Sequence, residues 1–78
     1  MLIHSPNDLA LFVRTHRKKN KLSQAALAES VGLKQTTISA FEQNPERTKM
    51  DTLFRILSAA GIQMTVVPKS IDMIDSEW

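Results

Sequence analysis

Cysteine is absent from this chain of 78 residues, so disulfides and thiolate metal sites are excluded. His4 and His16 are its only histidines, and two imidazoles alone do not complete a metal site. With 2 glycines in all, there is no Gly-rich loop of the kind that cradles a phosphate. No helix or loop brings a nucleophile, a base and an orienting acid together. An enzyme is therefore not expected, and neither is a cofactor. Long apolar runs are missing too. The longest uninterrupted one, Leu9-Ala10-Leu11-Phe12-Val13, falls far short of the roughly 20 residues a membrane span needs. No basic region followed by a long apolar stretch opens the chain, so no signal peptide is read. The expectation is a soluble, cytoplasmic protein. Its length allows one domain whose own core is marginal, and dimerisation is a common remedy.

What is present is uneven charge. The formal net charge is only +2, but all 10 basic residues fall within 1–69, against five acids there, a balance of +5. The other three acids, Asp72, Asp75 and Glu77, stand in the last stretch of chain. A basic body suits a polyanion, and an acidic tail is repelled by one. Arg17, Lys18, Lys19 and Lys21 form the densest basic cluster. It reads equally as a nucleic-acid contact or as a helix C-terminus favoured by its dipole.

Local signals divide the chain into helices. Ser5-Pro6-Asn7-Asp8 supplies a cap, a proline at the first helical position and an acid three residues after the cap. Leu9, Phe12, Val13 and His16 follow at helical spacing, and the helix fades near Lys19-Asn20. Ser23 caps a second helix, from Gln24 to about Ser30, interrupted at Gly32. A third runs from near Lys34 to about Glu42, and Asn44-Pro45 forbids its simple continuation. Thr48-Lys49-Met50-Asp51 reads as a second capping box, with Met50, Leu53, Phe54 and Leu57 as the inner face of a fourth helix that Gly61 ends. Met50 and Met64 serve either as core filler or as interface. After Gly61 the texture changes to alternating, β-branched residues 62–67, stopped by Pro68. One strand is not a sheet. Its economical partner is the same strand of a second copy, in an antiparallel ribbon across a twofold axis.

Two short helices meeting at Gly32 carry the functional signal. A turn of three or four residues containing Gly is what a helix-turn-helix requires, and Leu27, Val31, Ile38 and Phe41 are spaced to fill the angle between the helices. The DNA-binding form of this motif lays its second helix in the major groove. With Ile38 and Phe41 facing inward, Thr36, Ser39, Ala40 and Gln43 face out, flanked by Gln35 and Lys34. Gln pairs bidentately with adenine, Lys donates to guanine, Ser serves either base, and a Thr methyl meets a thymine methyl. Lys34, Gln35, Thr36 and Ser39 are thus the candidate base contacts. Ser23, Gln24, Thr37 and Arg17 are the candidate phosphate contacts, the first two at a helix N-terminus. For Arg14 and Arg17 the alternative is plain solvation of the first helix. His16 reads as a packed boundary residue or a pH switch, the first being the commoner use.

The segments Ser23-Gln24-Ala25-Ala26-Leu27-Ala28, Val31-Gly32-Leu33 and Thr37-Ile38-Ser39-Ala40-Phe41-Glu42 resemble the lambda-repressor-like (Xre) helix-turn-helix family over about residues 9–60. The resemblance implies a compact, mostly α domain of four to five helices, with Gln24 on phosphate and residues 34–39 on base edges. Asn44-Pro45 stands where that family often has Gly. A narrower similarity covers nearly the whole chain. Ser5-Pro6, Lys34-Gln35-Thr36-Thr37-Ile38-Ser39, Asn44-Pro45, Met64-Thr65 and the final Glu77-Trp78 are similar to HipB-type antitoxins. That similarity implies a homodimer joined through a C-terminal β-strand, binding to palindromic operators in its own promoter, and sequestration of a HipA-type serine/threonine kinase toxin. The expected organisation is a DNA-binding domain at 1–61, a dimerisation strand at 62–68 with Ile62, Met64 and Val66 at the interface, and an acidic flexible tail at 69–78. Trp78, the single tryptophan, reads as an aromatic anchor for a partner, as a recognition mark for a protease, or as a frayed end. The competing functions are a stand-alone, phage-type repressor without a toxin and an interaction adaptor that has lost DNA binding.

Overall fold

The computed structural model describes residues 2–69 and is helical: α1 (Pro6–Lys19), α2 (Gln24–Ser30), α3 (Gln35–Gln43), a 3-10 turn (Pro45–Arg47) and α4 (Met50–Ala60). Several boundaries have a local cause. The Ser5 hydroxyl accepts from the Asp8 N–H at 3.2 Å, and the Asp8 carboxylate reaches back to the His4 N–H at 2.9 Å. The first bond satisfies an amide that the first turn leaves without an intrahelical partner, and the second ties down the residue ahead of the N-cap. Ser23 caps α2 the same way, accepting from the Ala26 N–H at 3.0 Å.

Three helices end in one motif. After α2, Leu33 N–H donates to Ala28 C=O and Gly32 N–H to Glu29 C=O. After α4, Ile62 donates to Leu57 and Gly61 to Ser58; after α1, Leu22 donates to Arg17 and Lys21 to Lys18. The six-to-one and five-to-two bonds of each pair define a Schellman cap, which needs a left-handed residue. Gly32 (φ 69°) and Gly61 (φ 71°) adopt it freely. At the end of α1 the residue is Lys21 (φ 58°), whose Cβ makes this conformation costly.

The core is one cluster: Leu9, Ala10 and Val13 from α1, Leu27 and Ala28 from α2, Ile38 and Phe41 from α3, and Ile56, Leu57 and Ala60 from α4. Val31 and Leu33 sit half-buried in the turn. Ala28 is buried where α2 packs on α3; a larger side chain there would hold the two helices apart. α1 closes over α3 and α4, and α4 also packs on α2. The Arg55 guanidinium donates to the Val31 carbonyl, tying α4 to the turn between α2 and α3.

Two expectations are corrected. The inner face of α4 is Ile56, Leu57 and Ala60 with Leu53 packed beside them, whereas Met50 is 71% and Phe54 53% exposed. The stripe 53-56-57-60 follows the helical period, and Phe54 lies off it. The capping box at Thr48 does not form. Lys49 is the N-cap, without a side-chain bond, and Asp51 accepts from the adjacent Thr52 N–H instead. The strand expected at 62–68 between two copies is not formed by the single chain among the described residues. Beyond Gly61 the chain runs through 62–69 without helix or ladder, Ile62 half-buried against the core and Met64, Val66 and Val67 exposed. A β-ladder needs a second edge, and none of the described residues supplies one.

Candidate nucleic-acid interface

The exposed side of α3 follows from its buried side. Ile38 and Phe41, three residues apart, turn inward at 0% and 2% exposure. The period of 3.6 then turns Gln35, Thr36, Ala40 and Gln43 outward, with Thr37 and Ser39 half-buried at the flanks. Lys34 is the N-cap residue, extended and exposed; its ammonium, a donor only, leaves the amides of the first turn without a side-chain cap. Lys34, Gln35, Thr36 and Ser39 therefore form one ridge that opens at the helix N-terminus, the end that carries positive partial charge. Ser39 also receives a long hydrogen bond from the Gln43 amide at 3.4 Å.

Two clefts flank this ridge. One, of about 320 Å³, is lined by Thr36, Thr37, Ala40, Arg47, Thr48, Lys49 and Thr52. The other, of about 370 Å³, is lined by Arg14, Arg17, Lys18, Gln24, Glu42 and Gln43. Each cleft brings exposed cations to the side of α3: Arg47 and Lys49 on one, Arg14 and Lys18 on the other. An exposed polar helix face between two cationic ledges suits a major groove about 12 Å wide with a phosphate strand along each side. Sequence reasoning missed Arg47 and Lys49. They stand in the turn after α3, and only the fold of that turn around buried Pro45 carries them beside Thr36 and Thr37.

Gln24, at the first position of α2, lies between the second cleft and the ridge. Its amide nitrogen donates to Glu42 Oε1 at 3.1 Å, and its carbonyl oxygen accepts from the Gln35 amide at 3.3 Å. Two of the residues expected to act on DNA are therefore joined. Ser23 keeps its hydroxyl hydrogen free while the oxygen caps α2, and Thr37 borders the first cleft.

Arg17 is placed differently from the expectation of a phosphate contact. It sits one helical turn beyond Val13 on the inward side of α1 and is 7% exposed. Its Nε donates to Glu42 Oε2 at 2.7 Å, its Nη2 to Glu42 Oε1 at 3.1 Å, and its Nη1 to the Leu22 carbonyl at 2.8 Å. The guanidinium is spent inside the domain, where it locks α1 to α3, and Arg14 and Lys18 present the exposed charge instead. Burial alone pushes the Glu42 carboxyl up. Hydrogen bonds from Arg17 and Gln24, with the positive charges of Arg17 and Arg14, outweigh that and hold it below its ordinary value. The carboxylate is thus ionised at neutral pH.

His16 is half-buried and stacks on Phe12, with ring centroids 6.4 Å apart, as a boundary residue would. Trp78 and the tail beyond residue 69 lie outside the described residues.

Comparison with known proteins agrees with this fold. The helix-turn-helix family matches residues 13–67. The antitoxin HipB of Escherichia coli K12 is 38% identical, over 97% of this chain and 93% of that protein. Among solved structures, a chain of a HipA–HipB–O2–O3 complex superposes with a TM-score of 0.87 at 38% identity, covering 90% of this chain and 99% of that one. A chain of a HipB–O4 20mer complex gives 0.86 at 38% identity, with the same coverage. No helix among the described residues is long and apolar enough to cross a membrane. With the motif, the fold and the near full-length match in agreement, the chain belongs to the helix-turn-helix family and, within it, to the HipB antitoxins.

Proposed function

We propose that this protein is a sequence-specific DNA-binding antitoxin that represses its own operon as a dimer and neutralises a HipA-like kinase toxin. The observation that carries the reading is the ridge of Lys34, Gln35, Thr36 and Ser39 between two cationic clefts. Lys34, Gln35, Thr36 and Ser39 read base edges. Ser23, Gln24 and Thr37, joined by Arg14, Lys18, Arg47 and Lys49, hold phosphates and fix the register. The protein acts by binding and performs no catalysis of its own.

The division is a DNA-binding domain at 1–61, a dimerisation strand at 62–68 and a tail at 69–78. Residues 62–68 pair with the same residues of a second copy, and Ile62, Met64 and Val66 face the interface. The exposure of Met64 and Val66 in one chain, 40% and 89%, supports this, because β-branched and apolar residues left outside a core favour burial elsewhere. Pairing would set two recognition helices about 34 Å apart on a palindromic operator. Trp78 is assigned to the toxin as an aromatic anchor.

Selection of duplexes from a random pool, followed by affinities for single-base variants, tests the DNA reading. Gln35→Ala is expected to cost roughly 1–3 kcal/mol on the preferred duplex and to relax one base pair of each half-site. An equal loss on every sequence would remove Gln35 from the base contacts. Co-purification of a HipA-like kinase with the native protein tests the antitoxin role.

A further inference from the structure

Among the described residues, Lys21 alone has a positive φ, 58°, without being glycine. Its backbone is held there from both sides. Its own N–H donates to the Lys18 carbonyl at 3.0 Å, and the Leu22 N–H to the Arg17 carbonyl at 3.0 Å, closing α1. The buried Arg17 guanidinium in turn holds the Leu22 carbonyl at 2.8 Å. The corner between α1 and α2 is therefore fixed, and whatever residue stands at position 21 is left-handed. Glycine takes that conformation without steric cost, as it does after α2 and α4. Asn and Asp tolerate it, whereas the Cβ of a lysine opposes it.

Nothing among the described residues offsets that cost. Lys21 is exposed. The ion pair there joins Arg17 to Glu42, so no carboxylate meets the Lys21 ammonium. The dipole of α1 favours a cation at its C-terminal end, but Lys18 and Lys19 already stand in the last turn. At an exposed site the dipole also gives back less than a left-handed Cβ costs. A charged residue kept in an unfavourable backbone conformation, with no partner inside the fold, is explained by a use outside it. Its surroundings show which. Lys18, whose carbonyl accepts the Lys21 N–H, lines the cationic cleft with Arg14 and Gln24. Ser23 and Gln24 follow within three residues. Lys21 stands at the corner between them, where neither helix has a residue of its own.

We propose that Lys21 is a further phosphate-binding residue of the DNA surface, retained as a cation in a left-handed corner at the expense of the fold's stability. This rests on the reading of the α3 side as the face that meets DNA. The ligand is the sugar–phosphate backbone and not a base edge, because a lone ammonium on a flexible stem meets an anion as a point charge. Lys21 closes the gap between the cations of α1 and the first residues of α2. Arg14, Lys18, Lys21, Ser23 and Gln24 then follow one strand of the duplex without interruption.

The test uses the full-length protein with the duplex selected from a random pool and an unrelated duplex of equal length. Affinities are measured over a range of salt, and thermal melts are recorded beside them. Lys21→Gly should melt higher than wild type yet bind both duplexes more weakly by the same factor, about fivefold to tenfold per half-site at about 0.1 M salt. Its log–log salt slope should fall by about 1 per half-site. Lys21→Asn removes the charge but keeps a side chain that tolerates positive φ, and should lose the same amount. Lys21→Arg keeps the charge and should bind as wild type does. Wild-type affinity and salt slope in both neutral variants would overturn the proposal. So would a loss in Lys21→Gly that Lys21→Asn does not share, since it would come from backbone freedom. A Lys21→Gly protein that melts no higher would overturn the claim that stability is given up for this charge. A changed preference between the duplexes would make Lys21 a base contact and overturn its phosphate role. The DNA reading fails separately: wild type itself would then bind no duplex with salt-dependent affinity.

Discussion

Replacing Arg17 by Met should bring the domain close to unfolding. The side chains of Arg17 and Glu42 are 9% and 5% exposed. In Arg17→Met the methionine fills much the same space, but the Glu42 carboxylate keeps only the Gln24 amide, and the Leu22 carbonyl is deprived of its donor. Removing one member of a buried pair costs about 3–5 kcal/mol, because a charge is left without a partner. A chain of this size is stable by roughly 4–12 kcal/mol in total. Removing both charges, as in Arg17→Met with Glu42→Leu, should recover most of the loss, since apolar replacement of a whole buried pair is often neutral or stabilising by about 1–4 kcal/mol. Urea unfolding of the three proteins at one protein concentration measures this, provided the slopes match. A single variant that loses less than about 1 kcal/mol would mean the pair behaves as a surface salt bridge. A double variant no more stable than the single one would also refute the reasoning. The single variant further separates the two roles considered for Arg17: a phosphate contact would lower the salt dependence of DNA binding with little effect on stability.

The folded carboxyl of Glu42 titrates below its ordinary value of 4.5. Its stabilising contribution is therefore complete above that value and is lost as pH falls through the lower, folded one. The stability difference between wild type and Glu42→Gln should be flat at neutral pH and shrink below about pH 4.5 in urea titrations at stepped pH; a difference independent of pH down to acid unfolding would exclude the carboxylate as its source. Lys21→Gly relieves a left-handed lysine at the end of α1, and should raise stability by about 0.5–1 kcal/mol after the extra freedom of glycine in the unfolded chain is deducted. No gain in melting temperature would show that the Lys21 side chain makes up for its backbone. Arg47→Ala and Lys49→Ala should each weaken binding to all duplexes alike and reduce the salt slope by about 1. A change in preferred sequence would move either residue from phosphate to base.

The sequence alone determined where α1 and α2 begin, where α2 and α4 end, and which side of α3 is exposed. All are decided within a turn or two of chain. Ser5 and Ser23 cap with amides three residues on, Gly32 and Gly61 take the left-handed conformation, and the spacing of Ile38 and Phe41 sets the remaining faces of α3 by geometry. The candidate base contacts were legible for that reason. Lys21 was not legible as a helix end, because nothing in a lysine signals positive φ. Tertiary structure decided what depends on residues distant in sequence. Arg17 and Glu42 are 25 residues apart, and as a lone sequence position Arg17 looked like one more cation in a basic cluster. Only the docking of α1 on α3 takes it into the core and joins it, through Glu42 and Gln24, to Gln35. The rotation of α4, which buries Ile56 and exposes Phe54, is likewise set by the helices it packs on, since its sequence offers apolar residues on more than one face. Arg47 and Lys49 reach the side of α3 by the path of the turn around Pro45. Local rules placed the exposed face of α3, and packing selected the charges that stand around it.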